Sequence, residues 1–209
     1  MSRTHPITID RPFPGCAIVT SAAPDPEVLA PPERVLHASL PSPRQDRWIR
    51  GRIAARDALE QVLPGPLPSG LAILREESGA PRVEGLPGAH VSIAHAGARS
   101  AAIASDTHPV AVDFEEIRAP SHVLLDRGFT AEEREWLDAQ PDRALAATRL
   151  WAAREVASKL AGTGLQGQPR RWPMREATAH SITIGEVRVA TRVLDDHVLA
   201  SSPMQRSTP

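Results

Sequence analysis

One cysteine, one lysine, no excess of positive charge and no long apolar run set the first limits on this 209-residue chain. A single cysteine, Cys16, excludes an internal disulfide framework and a thiolate zinc cage, and it fits a reducing cytosol. Its ordinary role is that of a small buried apolar side chain. No stretch approaches the ~18 apolar residues that a membrane span needs. The opening Met1-Ser-Arg-Thr-His-Pro6 lacks the apolar core of a signal peptide, so the expectation is a cytoplasmic protein with no membrane partner. A net charge of −1 and a pI near 6.7 argue against nucleic acid as the main partner, because phosphate-tracking surfaces show as a strong basic excess. The basic residues must therefore act locally. Lys159 is the only lysine beside twenty-three arginines.

What is present describes a globular protein. With 41% hydrophobic and 23% charged residues, the chain can bury a core as one large domain or two small lobes. Twenty-one prolines punctuate it, and clusters at Pro24 to Pro32, Pro41 to Pro43, Pro64 to Pro68 and from Pro203 onward read as loops, the last as a disordered tail over 203–209. The proline-free stretch Arg44 to Leu63 places Ile49, Ile53, Leu59, Val62 and Leu63 roughly on one side and predicts a helix. Short strands are expected at Leu71 to Leu74, His90 to Ala96, Ser100 to Ser105 and Val110 to Phe114, with turns at Gly79 to Pro81 and at Gly97.

The second half repeats this order. Thr130 with Glu133 three residues later forms a capping box, and a longer helix spans about Ala144 to Ala161, stopped by Gly162 and Gly164. Ser181 to Ile184, Val187 to Val193 and His197 to Ala200 read as a small antiparallel sheet. Ala54-Ala55-Arg56-Asp57 and Ala152-Ala153-Arg154-Glu155 align without gaps, each on a helix preceding strands. Chance matching between alanine-rich helices and a true duplication both account for this; a duplication predicts two similar lobes.

Three segments carry candidate chemistry. In Val110-Ala-Val-Asp-Phe-Glu-Glu116, Asp113 and Glu115 are two apart on a strand and so face the same way. Such a pair is tolerable in solvent or around a cation, and carboxylates with waters and phosphates are the usual way to hold Mg²⁺. Trp151, Glu155 and Lys159 share a helix face at i, i+4 and i+8. On their own, Glu155 and Lys159 read as an ordinary surface ion pair; with the strand they supply a third carboxylate and a phosphate-neutralising cation. His95 ends a strand before Gly97, a place usually structural.

In order and spacing, these segments resemble the phosphopantetheinyl transferases of the surfactin-synthetase-activating type. The likeness rests on Ser92-Ile-Ala-His95, Ala111-Val-Asp-Phe-Glu115, Phe129-Thr-Ala-Glu-Glu133, Trp151-Ala-Ala-Arg-Glu-Val-Ala-Ser-Lys159 and Gly162-Thr-Gly-Leu165, with an arginine-bearing helix over Arg44 to Leu59 upstream. It covers roughly residues 40 to 202. The resemblance implies an α+β phosphopantetheinyl transferase fold of two similar, pseudo-twofold α/β lobes, each a small antiparallel sheet packed by a long helix, at 1–108 and 109–202. It implies a monomeric enzyme of holo-acyl-carrier-protein synthase type, serving secondary metabolism. Such an enzyme moves the 4′-phosphopantetheine arm of coenzyme A to a serine of an acyl, peptidyl or aryl carrier protein and releases adenosine 3′,5′-bisphosphate.

The same resemblance implies Mg²⁺ on Asp113, Glu115 and Glu155, with Glu155 as proton acceptor and Lys159 on the diphosphate. Arg44 and Arg52 would bind the adenosine 3′-phosphate and His95 a phosphate oxygen. The segment Arg118 to Phe129, with Val123-Leu124-Leu125, and Arg170, Arg171 and Trp172 would meet the carrier. The chain departs from the pattern at Ala80, Ala94, Ala96 and Ala111, where basic, hydroxyl or glycine residues are usual, and at Arg154, where lysine is usual. These departures leave a second reading open, a weakened relative that binds coenzyme A or a carrier without catalysis. A third, an unrelated Mg²⁺-dependent phosphotransfer enzyme, fits the carboxylates but not the ordered motifs.

Overall fold

The computed structural model describes residues 7–20 and 24–202. The tail expected at 203–209 lies outside the described residues. The chain divides between Val110 and Ala111.

The first unit carries β1 (Thr8–Asp10), β2 (Cys16–Thr20), α1 (Pro31–Ser39), α2 (Ser42–Val62), β3 (Ala72–Arg75), β4 (Pro81–Glu84), β5 (His90–Ala96) and β6 (Arg99–Ser105). Its main sheet is antiparallel in the order β1-β2-β6-β5, and β3 and β4 form a separate hairpin. Ala54, Ala55, Ala58 and Leu59 of α2 are fully buried in one core with Ala17 and Val19 of β2 and Ala102 and Ala104 of β6. Small residues on both sides let helix and sheet approach closely at native packing density. Cys16 is buried, the ordinary place for a small apolar side chain.

The second unit carries β7 (Val112–Glu116), α3 (His122–Gly128), α4 (Ala131–Asp138), α5 (Arg143–Leu160), β8 (Met174–Ala177), β9 (Ser181–Ile184), β10 (Val187–Leu194) and β11 (His197–Ser201). The sheet is antiparallel throughout, in the order β7-β11-β10-β9-β8. Alanines 146, 147, 152, 153 and 157 of α5 lie in a core with Phe129, Leu150, Val156, Ile182, Val189 and Val198. Asp142 caps α5 by accepting from the Leu145 N–H at 2.9 Å. The helix ends at Leu160 and is followed by Gly162, whose φ of 70° suits glycine, while Thr163 N returns to the Ser158 carbonyl at 3.2 Å. The capping box at Thr130 forms as expected, with Thr130 N donating to Glu133 at 2.9 Å and Glu133 N to the threonine hydroxyl at 3.3 Å.

Two proline clusters expected as loops instead begin helices. Pro31 and Pro32 open α1 and Pro43 sits in the first turn of α2, where the missing N–H has no helical partner anyway. The Gly79 to Pro81 turn forms, but it is the bend of a hairpin whose second strand, β4, the proline had obscured. Strands β1, β2 and β8 carry no clear alternation and were not expected. No helix among the described residues is long and apolar enough to cross a membrane.

Candidate functional site

In the second unit, β7 pairs with β11 so that Asp113 faces Ala200 and Glu115 faces Val198 across the ladder. Period two puts both carboxylates on one face, as the sequence predicts, while Phe114 between them is buried and stacks on His197 at 4.7 Å. The same face meets α5, which brings Glu155 and Lys159 alongside. Lys159 does not pair with Glu155, the partner its i+4 spacing suggested. Its Nζ crosses to β7 and donates to Asp113 Oδ1 at 2.8 Å and to the Val112 carbonyl at 2.9 Å. The reason is burial: Asp113 is only 6% exposed and needs a counter-charge, whereas Glu155 is half-buried and reaches water.

Burial and mutual repulsion dominate the electrostatics. Burial pushes the Asp113 carboxyl up, against the pull of Lys159. Glu115 is raised to about 7, first by burial and then by the charges of Asp113 and Glu155, although the Trp151 indole N–H favours its ionised form. Glu155 is raised by burial and by Asp113. One cation, Lys159, therefore faces three carboxylates, and Asp113 Oδ2 is buried without a hydrogen-bond partner. That orphaned oxygen and an all-oxygen donor set suit a hard divalent cation. Among the described residues, no three His, Cys, Asp or Glu side chains stand in an arrangement that would hold a metal ion as they are placed.

The first unit holds the other predicted residues. Arg44, Arg52 and His95 line one cavity of about 280 Å³, together with Arg47, Trp48 and Arg75. Arg52 donates from Nε to the Ile73 carbonyl at 3.1 Å, and its guanidinium lies 4.0 Å from the centre of the Trp48 ring. Burial lowers its pKa to about 10, with Arg56 and Arg75 adding repulsion. His95 Nδ1 contacts the Ser100 hydroxyl at 2.8 Å. Its ring passes so close to α2 that a Cβ on Gly51 would fall 2.7 Å from His95 Cε1. No acidic residue lines the cavity. Sequence reasoning missed Arg47 and Trp48, although positions 44, 47, 48 and 52 are helical neighbours and that spacing was a usable signal. Arg75 left no signal, because only the hairpin brings it to α2.

Arg154, the motif arginine beside Glu155, points away from the carboxylates. It is fully buried and donates from Nε to the Trp172 carbonyl at 2.8 Å and from Nη1 to that of Gly128 at 2.5 Å, and it pairs through Nη2 with Glu133. The surfaces expected to meet a carrier are mixed: Arg118, His122, Val123, Arg127, Arg170 and Arg171 are exposed, while other side chains pack inward. Leu125 is buried and Leu124 half-buried, leaving Val123 exposed. Arg170 donates to the carbonyls of Phe129, at 3.1 Å, and Asp126, and Trp172 packs on the core; Arg171 stays exposed.

Residues 109–202, which hold the carboxylates and Lys159, match the model of the 4′-phosphopantetheinyl transferase superfamily. That match covers somewhat under half of the chain. The chain is also similar to the 4′-phosphopantetheinyl transferase psf-1 of Bacillus pumilus, at 28% identity over 121 residues, which are 57% of this chain and 51% of the relative. The chain thus spans about half the length of the curated relative it matches. Both findings agree with the likeness to the surfactin-synthetase-activating type of phosphopantetheinyl transferase drawn from the motifs.

Proposed function

We propose that this protein transfers the 4′-phosphopantetheine arm of coenzyme A to a serine of a carrier protein, as an Mg²⁺-dependent phosphopantetheinyl transferase acting in the cytoplasm. The observation that carries this reading is the cluster of Asp113, Glu115 and Glu155 on one face with Lys159, since three partly buried carboxylates around one cation are unstable without further positive charge. Asp113, with its unpartnered Oδ2, Glu115 and Glu155 would hold the ion. A bound Mg²⁺ offsets the charge that builds on the diphosphate oxygens in the transition state.

This chain's own residues do the rest. Lys159 holds Asp113 in place and offers a compact positive charge to the diphosphate. The serine oxygen attacks the phosphorus bearing the pantetheine arm, the bond from that phosphorus to the bridging oxygen breaks, and adenosine 3′,5′-bisphosphate departs. The serine proton passes to Glu155, the carboxylate of the cluster assigned as acceptor. Arg44, Arg52 and His95 bind the 3′-phosphate of the adenosine end, a role that the carboxylate-free cavity supports.

A recurring pair supports reading the two units as copies of one plan. In the first unit Glu33, third residue of α1, accepts from Ala30 N at 2.8 Å and from Ile73 N of β3 at 2.9 Å, and it pairs with Arg56 of α2. In the second, Glu133, third residue of α4, accepts from Thr130 N and from Met174 N of β8 at 3.1 Å, and it pairs with Arg154 of α5. Arg56 and Arg154 are the arginines of the aligned Ala-Ala-Arg strings. The second reading, a non-catalytic binder, draws on Ala80, Ala94, Ala96 and Ala111, but all three carboxylates and the lysine persist.

The test is to incubate the protein with apo carrier protein, coenzyme A and Mg²⁺, and to weigh the carrier. The expected result is a carrier heavier by one phosphopantetheine, lost with Asp113→Ala. Coenzyme A binding with no arm added to acyl, peptidyl or aryl carriers would replace the enzyme by the binding module.

A further inference from the structure

The arginine cavity contains a residue that the transfer reading does not use. Arg75 ends β3 and is followed by Glu76 and Glu77, yet among the described residues it pairs with neither, nor with any other carboxylate. Instead its guanidinium lies over Gly79 at the wall of the cavity shared with Arg44, Arg47, Arg52 and His95. A Cβ on Gly79 would sit 2.9 Å from Arg75 Nη2 and 3.4 Å from Nε. Gly79 also has φ of 91°, a conformation side chains rarely adopt. The turn is fixed by Glu76 N to the Ala80 carbonyl and Gly79 N to the Glu76 carbonyl, both at 2.9 Å. The hairpin thus requires glycine at 79 for its backbone, and the missing side chain leaves the space that the Arg75 guanidinium occupies.

Four arginines and no acidic residue line the cavity, a charge balance that suits a strongly anionic ligand. A phosphodiester carries one negative charge. A terminal phosphomonoester carries nearly two at neutral pH and three acceptor oxygens, which suits a lining of several arginines. At about 280 Å³ the cavity lies at the lower edge of small-molecule sites, the size for one phosphorylated end of a ligand rather than a whole coenzyme A molecule. Ala80 leaves the turn itself without a cation, so Arg75 is the cation that the hairpin supplies to the cavity.

We propose that Arg75, seated on Gly79, is a specificity residue that lets this cavity distinguish a ribose phosphomonoester from a free ribose hydroxyl, and so coenzyme A from dephospho-coenzyme A. This assignment rests on the reading of coenzyme A as the substrate.

Calorimetric titration of the whole protein with coenzyme A and with dephospho-coenzyme A tests it. The native protein prefers coenzyme A. Arg75→Ala weakens coenzyme A binding by roughly tenfold to a hundredfold, the worth of a hydrogen bond to a charged group, and leaves dephospho-coenzyme A unchanged. Arg75→Lys restores part of the preference, and Arg82→Ala, on the neighbouring strand outside the cavity lining, changes neither ligand. Equal weakening of both ligands by Arg75→Ala, or of neither, overturns the assignment. So does a native protein that binds the two ligands equally, with the substrate reading left standing. A native protein that binds neither ligand overturns both.

Discussion

Arg154→Ala removes a guanidinium with no solvent exposure that meets three acceptors: the Trp172 carbonyl, the Gly128 carbonyl and Glu133. Glu133 would keep its bonds from Thr130 N and Met174 N but lose its counter-charge inside the core. Breaking a buried ion pair from one side costs about 3 to 5 kcal/mol. Each stranded carbonyl costs about 1 to 3 kcal/mol by itself, though these terms overlap and do not simply add. Against a total stability of roughly 5 to 15 kcal/mol, a loss of about 3 to 5 brings the variant near the edge of folding. Arg154→Lys keeps the charge but not the fork, so it loses about 1 to 3 kcal/mol. Urea unfolding followed by tryptophan fluorescence and by circular dichroism reads both: the midpoint falls while the slope stays constant. Combining Arg154→Met with Glu133→Met recovers a good part of the loss, because no charge is then left alone. The contrary result is an Arg154→Ala protein that stays within about 0.5 kcal/mol of the native one while phosphopantetheine transfer disappears. Arg154 would then be chemical rather than structural.

Two further expectations concern the sites themselves. Glu115, raised to about 7 when folded from an ordinary value of 4.5, holds a proton longer in the folded state than in the unfolded one, so stability declines as pH rises from about 4.5 to 7 and levels off above. After discounting for its partial exposure, the effect is on the order of 1 to 2 kcal/mol. Melting temperatures should show a shallower decline over that window in Glu115→Gln, and Mg²⁺ at pH 8 should raise the melting point of the native protein but not of Asp113→Asn; equal slopes in native and Glu115→Gln proteins would contradict the assignment. Gly51→Ala places a methyl group 2.7 Å from His95 Cε1 and 2.9 Å from Ile93 Cγ2. The overpacking costs about 1 to 3 kcal/mol, and a histidine shifted in the ring spectrum together with weaker coenzyme A binding marks the displacement. An unchanged His95 resonance would show that the helix yields instead.

Local rules made much of this protein legible. Period two put Asp113 and Glu115 on one face, period 3.6 put Trp151, Glu155 and Lys159 on another, and the capping box at Thr130 and the glycines after Leu160 marked helix ends. These are short-range consequences of backbone geometry, so residue order alone reveals them. The prolines misled for an equally local reason: a residue without an N–H suits a helix's first turn as well as a loop, and only the helix that follows decides between them.

Partners chosen across the fold had no such trace. Lys159 was one turn from Glu155 in sequence but took Asp113, because the buried carboxylate needs a counter-charge more than the half-exposed one does. Arg154 and Lys159 lie five residues apart on one helix, yet one is sealed against Glu133 and the other faces the carboxylates. Arg75 joined α2's arginines only because the hairpin folds it there. The sequence by itself determined which residue types were available and on which local faces they fall, since those follow from repeating backbone geometry. Tertiary structure decided which charges meet, because burial sets the electrostatic need of each group and burial is a property of the assembled unit.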